Sequence, residues 1–172
     1  MKNKYDIVTS FNPEGLEVYA RNMLNSFDKH WDKDIQLHAW YHDFEEAAFY
    51  RNFKKLDVPS KGIKYSNLNN IQDMLDYRES MKVHNGTEGK KIQYNWRLDA
   101  IKWCDKIYAL TETASDPHLI QDKDWLIWLD ADTVTFADVD SEFLDGICDD
   151  SYDIVHLGRT AVDYSETSFI AF

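Results

Sequence analysis

Asp130 and Asp132 follow directly on an unbroken apolar run, Trp125-Leu126-Ile127-Trp128-Leu129. In extended backbone, residues i and i+2 point to the same side, so both carboxylates can face one cation. Hard oxygen ligands of this kind suit Mg²⁺ or Mn²⁺, and such an ion can in turn hold a diphosphate. The spacing alone is weak, because the chain contains 22 Asp and three more such pairs, Asp32/Asp34, Asp122/Asp124 and Asp138/Asp140. Those three sit in polar stretches and read as solvated turn or helix-start acids. What sets Asp130/Asp132 apart is the strand before it. The bland alternative for this pair is a turn that ends the strand. The six histidines form no metal-ligand spacing; His38 and His42 would share one face of a strand and read as packing residues. Cys104 and Cys148 are too few for a disulfide scaffold or a structural zinc site.

The elements that must carry these residues can be read from punctuation and periodicity. Tyr5-Asp6-Ile7-Val8-Thr9-Ser10-Phe11 reads as a first strand. Asn12-Pro13 then starts a helix, with Asn as N-cap and Pro at the first helical position. Phe11 and Leu16 stand at the positions of a hydrophobic staple, and Leu16, Tyr19, Met23 and Phe27 form a stripe expected to face the core. Ile35, Leu37, Ala39 and Tyr41 alternate with Gln36, His38, Trp40 and His42, a second strand that ends at Asp43. Strand, helix, strand is a βαβ unit and implies parallel pairing.

Further along, 44–56 reads as a helix, 61–66 as a short strand or loop, and 71–81 as a helix stopped by Asn85-Gly86. The turn over 86–91 is the expected mobile loop. Trp96, Ala100, Trp103, Ile107 and Leu110 mark an amphipathic helix. The run 125–129 is apolar throughout, as expected of a central strand between parallel neighbours. A short helix over 141–147, a strand over 153–157 and a last strand over 168–172 follow. The expected fold is an open, mostly parallel, Rossmann-like α/β sheet with helices on both faces. Ligands bind such sheets beyond the carboxyl ends of the strands, which here are Thr9-Ser10, Asp43 and Asp130-Ala131-Asp132.

Composition narrows the function classes. With 19 bases against 31 acids, the net charge of −12 argues against binding nucleic acid or an anionic membrane through bulk charge. No apolar run reaches the ~18 residues of a membrane span, and the first residues carry no apolar core of a signal peptide. The expectation is a single cytoplasmic domain over 1–172.

The stretch Trp-Leu-Ile-Trp-Leu-Asp-Ala-Asp-Thr-Val-Thr-Phe, 125–136, resembles the core of GT-A-fold glycosyltransferases, which use nucleotide-sugar donors. In that family an apolar strand ends in an Asp-x-Asp that binds a divalent metal and the donor diphosphate. The opening strand with Thr9-Ser10-Phe11, the helix after it and the second strand ending in an acid are similar to the family's nucleotide-binding half. The run Tyr94-Asn-Trp-Arg-Leu-Asp-Ala-Ile-Lys-Trp-Cys-Asp-Lys106 resembles the helix before the metal strand, where an Arg and a Lys recur. Residues 164–172 resemble the strand that enters the acceptor half, so the domain would lack its C-terminal acceptor part.

The resemblance implies a glycosyltransferase, or its donor-binding portion, with Mn²⁺ or Mg²⁺ as cofactor, a nucleotide-sugar donor and an unknown acceptor. Asp130 and Asp132 would hold metal and diphosphate. Asp43 would face the nucleoside, Thr9 would contact it through backbone or hydroxyl, and Arg97 would meet donor phosphate. Glu166 stands where an acceptor-side base is expected. Lys106, on the helical face of Asp99 and Lys102 and away from Arg97, reads as an ion-pair partner.

Two other readings remain. Leu129-Asp-Ala-Asp-Thr-Val also resembles the first motif of haloacid-dehalogenase-type phosphatases, with Asp130 as nucleophile and Asp132 as acid/base. That motif usually lies near the N-terminus, whereas 129 residues precede Asp130 here. The last reading is an inactive nucleotide-binding or assembly module.

Overall fold

The computed structural model of the chain describes residues 4–59, 61–87, 94–119, 123–158 and 166–172. The expected mobile turn over 86–91 lies outside them from residue 88 onward. Tyr5–Phe11 forms β1, and Asn12 ends it by capping α1 (Pro13–Gly15). The Asn12 side chain accepts from the Gly15 amide at 2.7 Å, and Pro13 fills a first-turn position with no amide to leave unpaired. Such a cap contributes about 1 kcal/mol. The helix continues through a π-helical turn (Leu16–Ala20) into α2 (Arg21–His30). Then follow β2 (Gln36–Tyr41), α3 (Glu46–Lys55), β3 (Ile63–Asn67) and α4 (Gln72–Ser80). A 3₁₀ turn (Trp96–Leu98) precedes α5 (Ala100–Ser115), which the Asp99 side chain caps by accepting from the Lys102 amide at 2.9 Å. The described chain ends with β4 (Trp125–Leu129), α6 (Ser141–Asp145), β5 (Val155–Leu157) and β6 (Glu166–Ala171).

The strands form one six-stranded sheet in the order β3-β2-β1-β4-β6-β5. β1 pairs in parallel with both β2 and β4, and β2 in parallel with β3. β6 runs antiparallel to both β4 and β5. This corrects one expectation: β4 is interior, but only its β1 side is parallel. An unbroken apolar run reports burial on both faces; it carries no information on the direction of the neighbour.

Side-chain alternation divides the core into two layers. Tyr5, Ile7, Phe11, Leu37, Ala39, Tyr41, Ile127 and Leu129 pack on one face against Leu16, Met23, Phe27, Phe49 and Leu144. Val8, Trp40 and Trp128 pack on the other against Leu68, Met74, Cys104, Ala109 and Leu110. Helices therefore cover both faces, as the sequence predicts. Among the described residues no helix is long and apolar enough to cross a membrane.

Two predicted stripes are displaced. Tyr19 is 38% exposed, because the π-helical turn carries Ala20 and Leu24 inward in its place. On α5 the buried residues are Cys104, Asp105, Lys106, Ala109, Leu110 and Thr113, whereas Trp103 and Ile107 are solvent-facing. Its helical start is also later than the run from Tyr94 suggests, since Asp99 caps it.

Candidate functional site

The chain winds from β1 to β2 and β3 on one side, then crosses to β4 on the other side of β1. The order reverses between β1 and β4, and open α/β sheets bind ligands in the crevice at such a point. A cleft of about 730 Å³ opens there, lined from β1 by Ser10 and Phe11, beyond β2 by His42 and Asp43, and from β4 by Trp128, Asp130, Ala131 and Asp132. A groove of about 470 Å³ lies at the other end of β4, between Ile107, Leu110, Trp125, Leu126 and Phe172. Its walls are nearly all apolar, so it offers little that could orient a polar substrate.

Asp130 and Asp132 both line the cleft, but not through extended backbone. The Thr133 amide donates to the Asp130 carbonyl at 2.9 Å, which closes a turn at the end of β4. Ala131 is buried, Asp130 half-buried and Asp132 exposed. Trp128 Nε1 donates to Asp130 Oδ1. Lys106 Nζ stands 3.5 Å from the same oxygen, donates to the Thr167 carbonyl at 2.6 Å, and lies 4.8 Å from the centre of the Trp128 ring. Burial pulls the Lys106 ammonium below its ordinary range, with Asp130 opposing. The expected ion pair of Lys106 is thus present, and its partner is the first acid of the Asp-x-Asp.

The other end of the cleft holds a closed network. Asp43 adopts φ 58°, a left-handed conformation that Asp tolerates better than most residues. Its amide donates to Asn69 Oδ1 at 3.2 Å. His42 Nδ1 and Arg78 Nη2 meet Asp43 Oδ2 at 3.1 and 3.0 Å, while His42 Nε2 and Arg78 Nη1 lie 3.3 and 3.8 Å from the two Asp105 oxygens. The His42 hydrogen bond, helped by that of Arg78, holds Asp43 well below the usual carboxylate range. Burial dominates at Asp105 and pushes its carboxyl up, with His42 and Arg78 opposing. The two acids share the same partners and shift in opposite directions because Asp105 is the deeper one.

Thr9 is fully buried, and its hydroxyl oxygen has no hydrogen-bond partner among the described residues. It shares the parity of Ile7 and Phe11, whose layer packs against the first helices, and it is not among the cleft-lining residues, whereas Ser10 and Phe11 are. Thr9 can offer only backbone to a ligand there. Arg97 is exposed in the 3₁₀ turn before α5, where its amide meets Asn95 Oδ1 at 3.1 Å, and it is not among the cleft-lining residues. Glu166 is the first residue of β6 and pairs with Leu157; its side chain lies outside the described residues. Arg78 and Asp105 carry no motif, and His42 was readable only as a packing residue. Nothing in their spacing links Arg78 to an acid 35 residues earlier.

Among the described residues, no three His, Cys, Asp or Glu side chains cluster as a ready metal site. Asp130 and Asp132 nevertheless fit a hard divalent ion, because Mg²⁺ characteristically takes one or two carboxylates and completes its shell with water and substrate phosphate.

No protein-family model matches the chain, and no curated protein matches it by sequence. Among solved structures it is similar to a transferase carrying two cysteine-to-serine substitutions, at TM-score 0.50 and 12% identity over 99% of this chain and 73% of that one. What the two share is the fold, an open, mostly parallel α/β sheet. The chain is also similar to mouse xyloside xylosyltransferase 1 (TM-score 0.48, 15% identity, 84% of this chain and 50% of that one). A third similar structure is the mannosyltransferase Ktr4p from S. cerevisiae (TM-score 0.48, 9% identity, 85% of this chain and 36% of that one). The chain therefore spans half or less of the two named glycosyltransferases, and at these identities the likeness is one of fold.

Proposed function

We propose that the chain is the donor-binding part of a metal-dependent glycosyltransferase. A nucleotide-sugar would lie in the cleft with its nucleoside toward Asp43 and its diphosphate toward Asp130 and Asp132, where Mn²⁺ or Mg²⁺ supplies the positive charge that offsets the diphosphate. The observation that carries this reading is the charge of the cleft at the sheet's switch point. Its walls hold six acids, Glu14, Asp43, Asp99, Asp105, Asp130 and Asp132, against Arg78, Lys102 and Lys106. A diphosphate entering such a cleft without a cation meets net repulsion.

The chain's own residues then have separable tasks. Trp128 and Lys106 hold Asp130 through Oδ1, which fixes the direction in which the carboxylate is offered. His42 and Arg78 do the same for Asp43 through Oδ2, leaving its other oxygen to accept from a hydroxyl or N–H of the nucleoside. Thr9 contributes backbone at the floor of the cleft. In this reading Arg97, which lies outside the cleft lining, would have to extend from the turn before α5 to meet donor phosphate, and Glu166 serves the acceptor as base at the start of β6.

A thermal-shift panel of nucleoside diphosphates with and without Mn²⁺ tests the proposal. Saturation to ~100 times Kd adds about 2.7 kcal/mol, a rise of roughly 5–10 °C in Tm for a chain of this size. Asp132→Ala should keep the protein folded and abolish the rise. An equal rise in that variant would move the site elsewhere. Brisk phosphate release from a small phosphomonoester, lost in Asp130→Asn, would replace the transferase by the phosphatase.

A further inference from the structure

Tyr19 reaches the cleft through two local features, an irregular helical turn and a missing side chain. Helical spacing from Leu16, Met23 and Phe27 would bury it, yet the π-helical turn over Leu16–Ala20 turns it outward to line the cleft. Single π-turns inside α-helices are uncommon and occur frequently at functional sites.

The second feature is Gly15. Its backbone is ordinary right-handed helix, φ −59° and ψ −38°, so no conformational demand explains a glycine there. Space does. A Cβ at position 15 would lie 2.5 Å from the Tyr19 hydroxyl oxygen and 2.7 Å from the ring carbon that bears it. Helical side chains lean back toward the N-terminus, and here the phenol lies directly over the missing Cβ. A helical glycine costs roughly 0.5–1 kcal/mol relative to alanine, and the cost is borne at the position that seats this hydroxyl.

What surrounds the hydroxyl identifies its use. Tyr19 lines the cleft together with Glu14, Asp130 and Asp132, and it makes no hydrogen bond with any described residue. An O–H donor with no partner among the described residues, in the same cleft as two carboxylates that fit a cation, suits an anionic oxygen brought in with that cation.

We infer that Tyr19 is a diphosphate-positioning residue, seated by Gly15, whose hydroxyl donates a hydrogen bond to an oxygen of the diphosphate held through the cation at Asp130 and Asp132. The inference rests on the donor-site reading above and adds to it the residue that orients the phosphates.

Titration calorimetry with Mn²⁺ alone and with Mn²⁺ plus inorganic pyrophosphate separates the two. Tyr19→Phe should leave Mn²⁺ affinity unchanged and weaken pyrophosphate binding about five- to tenfold, the worth of one neutral hydrogen bond. Gly15→Ala keeps the hydroxyl but displaces it, and should reproduce that loss. The double variant should lose no more than either single one, since both remove the same contact. Circular dichroism and Tm of the unliganded variants confirm that both fold. Wild-type protein that binds pyrophosphate while Tyr19→Phe binds it equally sinks this inference alone, as would losses that add in the double variant. Wild-type protein that binds no Mn²⁺–pyrophosphate sinks the donor-site reading and this inference with it.

Discussion

The two ends of the cleft handle negative charge in opposite ways. At the β2 end, Asp43 and Asp105 are each met by His42 and Arg78, both of which are fixed by the fold. At the β4 end, Asp130 has Lys106 and the Trp128 indole on one oxygen, while Asp132 is exposed and lines the cleft with Tyr19. A carboxylate whose charge is already matched serves as an oriented acceptor for neutral donors. Carboxylates left short of positive charge favour a mobile cation, because adding one relieves their repulsion. One cleft can thereby hold the uncharged and the charged parts of a single ligand without exchanging them.

The sharpest way to break this contrast is to remove the fixed cation. Arg78→Met leaves the buried Asp105 and the exposed Asp43 with less compensation. It should cost about 3 kcal/mol, the lower end for removing one partner of a buried pair. Asp132→Asn removes an exposed acid and should change stability by no more than about 0.5 kcal/mol. Urea denaturation compares them, and equal losses would show that the two ends do not differ.

Acid titration sharpens the comparison within the β2 end. The folded pKa of Asp43 is depressed, so its contribution is complete above the unfolded value of ~3.9 and is lost as pH falls below it. Asp105 is raised, so its contribution is complete below ~3.9 and is lost as pH rises through its folded pKa. Asp43→Asn should therefore flatten the acid limb of Tm against pH, whereas Asp105→Asn should remove a loss of stability that develops just above that limb. The same change of profile in both variants would contradict the opposite shifts.

The smallest effect concerns Thr9. Valine has nearly the same shape and removes a buried hydroxyl that has no partner among the described residues. Thr9→Val should stabilise the protein by about 1 kcal/mol and leave Mn²⁺–nucleoside diphosphate binding unaltered. Weakened binding would return the Thr9 side chain to the site.

Local sequence signals were sufficient for much of this. Asn12-Pro13 specifies a helix start because cap and first turn are satisfied within four residues. The alternation from Ile35 to His42 specifies a strand, though the structure buries both of its faces, and the apolar run 125–129 specifies an interior one, because burial imprints itself on consecutive side chains. The acids beyond those strands, Asp43, Asp130 and Asp132, followed from the same signals. Tyr19 was misplaced because periodicity assumes a regular helix, and a π-turn moves one residue without any change of composition.

The amino-acid sequence by itself determined the α/β class, the β1-to-β2 parallel unit and the carboxylates at the strand ends, all consequences of interactions a few residues long. Tertiary structure alone decided the antiparallel approach of β6, the face on which Thr9 lies, and the partnership of Arg78 with Asp43 and of Lys106 with Asp130. Those depend on which segments meet in space across tens of residues, and the direction of a neighbouring strand or the source of a balancing charge leaves no mark on the local pattern.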